Sequence, residues 1–131
     1  MVIDTSALLA VLSAEPDRHR FAAALARTGI KLISSVNALE SAMVVEARRG
    51  PAAGRELDLL MHQAKIDIVP ADEALFVAAR SVWRKFGKGN HPASLNICDC
   101  CSLALSQISG RPLLYKGDDF GRTGVRSALD S

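Results

Sequence analysis

Met1-Val2-Ile3-Asp4-Thr5-Ser6-Ala7-Leu8-Leu9-Ala10 is the stretch on which the fold turns. A short apolar run stops at a carboxylate, two hydroxyl residues follow, and an apolar pattern of helical spacing begins. This is the pattern of a buried strand feeding a helix, with Asp4 at the junction. In an open parallel sheet that junction lies at the carboxyl edge of the strands, where such folds bind ligands.

Outward from this stretch the same alternation recurs. A first helix is expected over Thr5 to Ser13, and Glu15-Pro16-Asp17 restarts a helix that Gly29 closes. Lys31 to Ser34 reads as a second strand. Ser35 to Arg49 reads as a helix whose buried stripe is Ala38, Leu39, Ala42, Met43 and Val45. Pro51 opens a helix to about Ala64, and Ile66 to Val69 is a third strand ended by Pro70. Asp72 caps a helix through Phe86 that carries Leu75, Ala78, Ala79, Val82 and Trp83 inward. The loop Gly87 to Pro92 precedes a helix from Leu95 to Ser109, closed by Gly110. Pro112 to Tyr115 is a fourth strand. Lys116 to Ser131 is loop, with one short edge strand expected near Val125. Strands alternating with helices imply right-handed crossovers and a parallel sheet covered on both faces. The expectation is an α/β chain with one domain over residues 1–131, an α/β/α sandwich around a parallel sheet of four to five strands.

Composition agrees with a globular chain. Of 131 residues, 49% are hydrophobic and 23% charged, which excludes a disordered polyelectrolyte. The net charge of +2 permits a polyanionic partner without demanding one. No segment is apolar for long enough to span a bilayer, and Asp4 interrupts any signal-like lead, so a soluble cytoplasmic protein is expected. Cys98, Cys100 and Cys101 form an odd, clustered set, a poor disulfide framework that fits a reducing compartment.

Four acids fall where strands end and the next helices begin: Asp4, Glu40, Asp99 and Asp118. Taken singly, each has an ordinary reading. Asp4 is good capping chemistry, Glu40 a helix residue, and Asp118 with Asp119 a turn. Taken together, four anions in one pocket repel and raise one another's pKa values. Divalent cations relieve that repulsion, and oxygen-only donors suit Mg²⁺ or Mn²⁺ rather than zinc. One or two such ions, roughly 4 Å apart in two-metal sites, activate water and stabilise the departing oxygen of a phosphodiester.

The residues that frame these acids resemble the PIN-domain ribonucleases of the VapC type, toxin halves of bacterial toxin–antitoxin pairs. The resemblance rests on Met1 to Leu8, on Leu39-Glu40 with Glu46 to Pro51, and on the loop Phe86 to Ala93. It continues through Leu95-Asn96 with Asp99-Cys100, and through Pro112 to Phe120. It covers nearly the whole chain. It implies a PIN-like sandwich and a metal-dependent endoribonuclease in which Asp4, Glu40, Asp99 and Asp118 hold Mg²⁺ or Mn²⁺. It also implies a cognate VapB-type antitoxin that blocks the site, and a homodimer. The first helices, or the helix from Pro51 to Ala64, are candidate surfaces for these contacts. Two positions depart from the family pattern. Gly117 stands where many relatives carry an acid, which leaves Asp119 as the reserve for Asp118. Cys98 stands where a glycine commonly precedes the acid at 99.

Thr5 and Ser6 are candidates for holding the first acid or a phosphate. Lys116 is a candidate for a phosphate contact or an internal salt bridge. The alternative function is a catalytically weak PIN module that acts mainly by binding its antitoxin as co-repressor. Cys98 and Cys101 have CxxC spacing, but no second pair accompanies them, so they read as small packing residues. His19, His62 and His91 show no paired spacing, which disfavours a two-histidine ribonuclease. His91 sits in a basic loop, and Arg48-Arg49 and Arg84-Lys85 read as solvated helix faces. One Trp and one Tyr make base stacking a minor feature. A receiver-like phosphoacceptor would need an acid at the end of a central strand, and Ile66 to Val69 ends in Pro70 instead.

Overall fold

The computed structural model describes residues 1–130. Its strands are short and their side chains alternate between two cores. Ile3 and Leu114 enter one apolar cluster with Leu8, Phe21, Ile33 and Leu57. Their chain neighbours Val2 and Leu113 enter a second, with Leu75, Val82, Leu95 and Leu103. A strand buried on both faces must be apolar at successive positions, which is why the opening run shows no polar alternation.

The elements follow in the order β1 (Val2–Ile3), α1 (Thr5–Leu12), α2 (Arg18–Leu25), β2 (Lys31–Ser34), α3 (Ser35–Arg49), α4 (Pro51–Gln63), β3 (Ile66–Val69), α5 (Glu73–Phe86), α6 (Ile97–Ser109) and β4 (Leu113–Leu114). Two short 3-10 turns, Phe120–Arg122 and Ala128–Asp130, close the described chain. All pairings are parallel and the sheet order is β3-β2-β1-β4. The first core lies under α1 to α4 and the second under α5 and α6, the expected three layers. In place of a fifth strand there is one parallel bridge, Leu113 to Ser127, with Leu113 N–H donating to Arg126 O at 2.9 Å. No helix among the described residues is long and apolar enough to cross a membrane.

Helix ends follow local chemistry. Asp72 accepts from Leu75 N at 2.9 Å, and Gly110 turns left-handed at φ +66 to end α6. Two expected faces differ. In α3 the buried residues are Asn37, Ala38, Ser41 and Val45, while Leu39 and Met43 are exposed. The inward stripe is therefore rotated toward polar residues, because Asn37 and Ser41 are consumed by a hydrogen-bond network at the sheet edge. In α5 the stripe is Leu75 and Val82, and Trp83, next round the helix, is about half exposed at 49%. Trp83 lies instead along an apolar groove between α5 and α6, with Phe76 and Ile97.

Leu8 has no exposed surface and sits in the core beside Ile3 and Phe21. Leu8→Ala should lower the unfolding free energy by about 2–5 kcal/mol with the urea m-value unchanged, measured by equilibrium denaturation.

Candidate active site

β1 ends at Asp4, which caps α1. Its carboxylate is 4% exposed and receives three donors. Ser6 N–H and Ser6 Oγ–H donate to Oδ2 at 3.0 and 2.6 Å, and Ser102 Oγ–H on α6 donates to Oδ1 at 2.5 Å. Ser6 Oγ in turn accepts from Lys116 N at 2.9 Å, just past β4. The capping and site readings of Asp4 are thus one arrangement: the cap holds the acid still and the neighbouring strand holds the cap. Burial raises the Asp4 pKa against the three hydrogen bonds, and the charge of Glu40 raises it further.

A second network sets the helices that carry the other acids. Asn37 is fully buried. Its Nδ2–H donates to Cys98 O at 3.0 Å and to Thr5 Oγ1 at 3.4 Å, while Ser34 Oγ–H donates to its Oδ1 at 2.5 Å. Its carbonyl accepts from Thr5 Oγ1 at 3.2 Å and Ser41 Oγ at 2.8 Å. One amide therefore ties α1, α3 and the start of α6 together. Glu40 follows it one turn later on α3, half-buried.

Asp99 stands at the third position of α6 in a reciprocal cap. Asn96 Oδ1 accepts from Asp99 N at 2.9 Å, and Asp99 Oδ2 accepts from Asn96 N at 3.0 Å. Burial pushes its pKa up to about 6 against the Asn96 hydrogen bond, helped by the charges of Asp4, Asp119 and Glu40. Cys98, half-buried, is pushed up to about 12 by burial first, then by hydrogen bonding to Glu40 and by nearby negative charge. Without a metal it is a neutral thiol at physiological pH.

The charges of Asp4 and Glu40 both act on Asp99, and that of Glu40 acts on Asp4. After β4, Asp118 and Asp119 are both exposed. The charge of Asp119 is among those that raise the Asp99 pKa. Thr5 is buried with its hydroxyl engaged by Asn37, so it is scaffold rather than accessible surface. Lys116 takes the salt-bridge role: its Nζ lies 2.5 Å from Glu15 and 2.9 Å from Asp17. Asn37 and Ser102 escaped the sequence reading. Each lies three residues from an acid on the same helix face, Asn37 to Glu40 and Ser102 to Asp99, and that spacing was the available signal.

No three His, Cys, Asp or Glu side chains among the described residues are gathered tightly enough to grip an ion as they stand. The coupling among the acids is longer in range. It is repulsive between Asp4 and Glu40 and between Asp99 and each of Asp4, Asp119 and Glu40, and the donors are all carboxylate oxygens, a set suited to a hard divalent cation.

A PIN-domain family model matches residues 1–125. Ribonuclease VapC30 of Mycobacterium tuberculosis (strain ATCC 25618 / H37Rv) is 52% identical over 125 residues, covering 95% of each chain. Ribonuclease VapC of Mycolicibacterium smegmatis is 47% identical, covering 95% of this chain and 97% of the relative. The fold is similar to that of VapC20 of Mycobacterium tuberculosis, described as a Sarcin-Ricin loop cleaving toxin, with TM-score 0.78 at 14% identity and 95% coverage of both chains. It is also similar to a toxin-antitoxin complex from Klebsiella pneumoniae, with TM-score 0.66 at 18% identity, covering 91% of this chain and 88% of that one. The chain belongs to the PIN-domain family. Within that family its curated relatives are VapC ribonucleases.

The acids also set a pH dependence. Asp99 in the metal-free protein has a folded pKa of about 6, above its unfolded value. The folded state therefore binds more protons than the unfolded state between about pH 4 and 6, and stability falls as pH rises through that window. Asp99→Asn should flatten this slope in chelator. At pH 7 it should be more stable by about 1 kcal/mol, a figure discounted because the group is partly solvated. Urea titrations at a series of pH values check both.

Proposed function

We propose that this chain is a toxin endoribonuclease that hydrolyses RNA phosphodiesters with a divalent metal, Mg²⁺ or Mn²⁺, held by Asp4, Glu40, Asp99 and Asp119. The observation that carries the reading is the convergence of Asp4, Glu40 and Asp99 at one sheet edge, in a chain 52% identical to VapC ribonucleases. The ion, when bound, supplies an acidified water and neutralises charge developing on the phosphodiester. The protein supplies position. Ser6 and Ser102 fix both oxygens of Asp4, the Asn96 cap fixes one oxygen of Asp99 and leaves the other free, and Asn37 holds α3 so that Glu40 faces them. Asp119, the reserve position, is chosen over Asp118 as the fourth acid because its charge is among those that raise the Asp99 pKa.

The proposed partner is a VapB-type antitoxin, consistent with the relatives' class, and a homodimer is proposed beside it. The apolar groove carrying Phe76, Trp83 and Ile97 runs next to Asn96, close to the acids, and supports contact surface of this kind. A cytoplasmic location belongs to the same proposal. The binding-module reading keeps one specific support: the Cys98 thiol hydrogen-bonds to Glu40, which a glycine at that position would leave free.

The test is cleavage of a mixed RNA pool with Mn²⁺, with Mg²⁺ and with chelator. Cleavage should require metal and fall by roughly 100-fold or more in Asp99→Asn and in Asp119→Asn. Asp118→Asn should stay within a few-fold of the parent, and equal losses in the two neighbours would sink the choice of Asp119. Absence of metal-dependent cleavage by the parent protein would transfer the assignment to the binding module. In that event Cys98→Gly should restore cleavage.

A further inference from the structure

The opposite edge of the sheet holds a buried cation without an anion. Lys31, the first residue of β2, is 5% exposed. Its Nζ donates to Ala64 O at 2.9 Å. The ion pairs among the described residues use Arg49 and Lys116, not Lys31. An ammonium has three N–H groups, and a charge this deep is ordinarily paired. Ala64 lies at the end of α4, so Lys31 also complements the negative end of that helix. That contact uses one N–H and leaves the space around the others unexplained.

That space is a cavity of about 470 Å³ between α2 and α4. Leu25, Ala26 and Leu60 form apolar wall, Arg27 and Lys65 join Lys31 in the lining, and no acidic residue lines it. Arg27 and Lys65 are exposed, Arg27 Nη1–H donating to Ala128 O at 2.8 Å, so positive charge continues from buried Lys31 to the surface. The N-terminal amine, which donates to Ile30 O at 2.7 Å, has its pKa lowered by burial and then by Arg111 and Lys31, so this edge is cationic as a whole. The volume is that of a small-molecule site.

We propose that this cavity binds a small organic anion, a phosphate monoester or carboxylate on a short apolar body, with Lys31 taking the anionic head and Arg27 and Lys65 guarding the entrance. The site is independent of the acidic edge and of the reaction proposed there. A purely structural Lys31 would act only through Ala64 O. A ligand-binding Lys31 leaves the empty protein with an uncompensated buried charge. Replacing Lys31 by a side chain of similar shape sets the lost bond to Ala64 O against the relieved desolvation of the charge, so the empty fold changes little in stability.

The test uses the full chain in chelator, so that no metal holds phosphate at the acids, at constant ionic strength. Inorganic phosphate and hexyl phosphate are titrated by calorimetry, with thermal unfolding as a second readout. Hexyl phosphate should bind saturably and about tenfold tighter than inorganic phosphate, because the walls receive its chain. Lys31→Met should weaken it at least about tenfold while leaving the ligand-free melting temperature little changed. Lys65→Asn, which keeps the left-handed backbone that residue 65 adopts at φ +57, and Arg27→Gln should each weaken binding about two- to fivefold. These two exposed positions keep the proposal falsifiable should Lys31→Met fail to fold. Absence of saturable binding, or binding unchanged by all three substitutions, would overturn the site. Equal affinity for the two phosphates would overturn the role given to the apolar walls. A Lys31→Met protein of lower melting temperature with unaltered hexyl phosphate binding would reduce Lys31 to a helix-end contact.

Discussion

Asp4 is the constraint around which the chain is arranged. A carboxylate nearly sealed from water is tolerable only with its lone pairs occupied, and Asp4 draws those donors from two separate helices, through Ser6 on α1 and Ser102 on α6. Ser6 then accepts from the backbone after β4. Satisfying one acid thus fixes α1, β4 and α6 relative to β1. The same demand explains why the opposite wall of the site, Asn37 with Ser34, Thr5 and Ser41, is polar although buried. No buried side-chain nitrogen or oxygen among the described residues lacks a partner. Such networks specify a single arrangement when complete and are costly when one member is lost.

The legible and illegible parts of the fold separate along physical lines. The strand–acid–helix junction at Asp4, the Asp72 cap and the Gly110 ending were readable because each is decided by neighbours in sequence. The faces of α3 and α5 were not. Leu39 and Met43 have the right spacing for a buried stripe, but Asn37 takes an inward position because its partners Thr5 and Cys98 come from distant segments, and Ser41 follows it by donating to Asn37 O. Trp83 was misplaced for a related reason: hydrophobicity alone does not distinguish the core from an apolar groove at the surface. Within the site, the acidic types announced themselves, whereas the residues that aim them, Asn37 and Ser102, are unremarkable in composition. Lys116 had two readings open, and the loop carrying Glu15 and Asp17 settles its observed contact.

A parallel sheet has two chemically unlike edges, and this chain gives them opposite charge. Acids collect where strands end. At the edge where strands begin, Lys31 and Arg111 bear on the first amino group. Because each strand must pass through both cores to connect the edges, the cores separate charges of opposite sign that would otherwise neutralise one another. The arrangement explains how a chain of modest net charge can hold a strongly acidic pocket.

The pairing of β1 with β4 has a temporal consequence. Val2 and Ile3 find their partners at Leu113 and Leu114, and Ser6 finds Lys116 N across 110 residues. Contacts so distant along the chain form late, after the loop-closure entropy between them has been met. A ribosome making this protein from its amino end releases Asp4 and Glu40 long before Ser102 and β4 emerge. The nascent chain therefore carries the acids without the scaffold that orients them. The acidic edge takes shape only once Ser102 and β4 have been made.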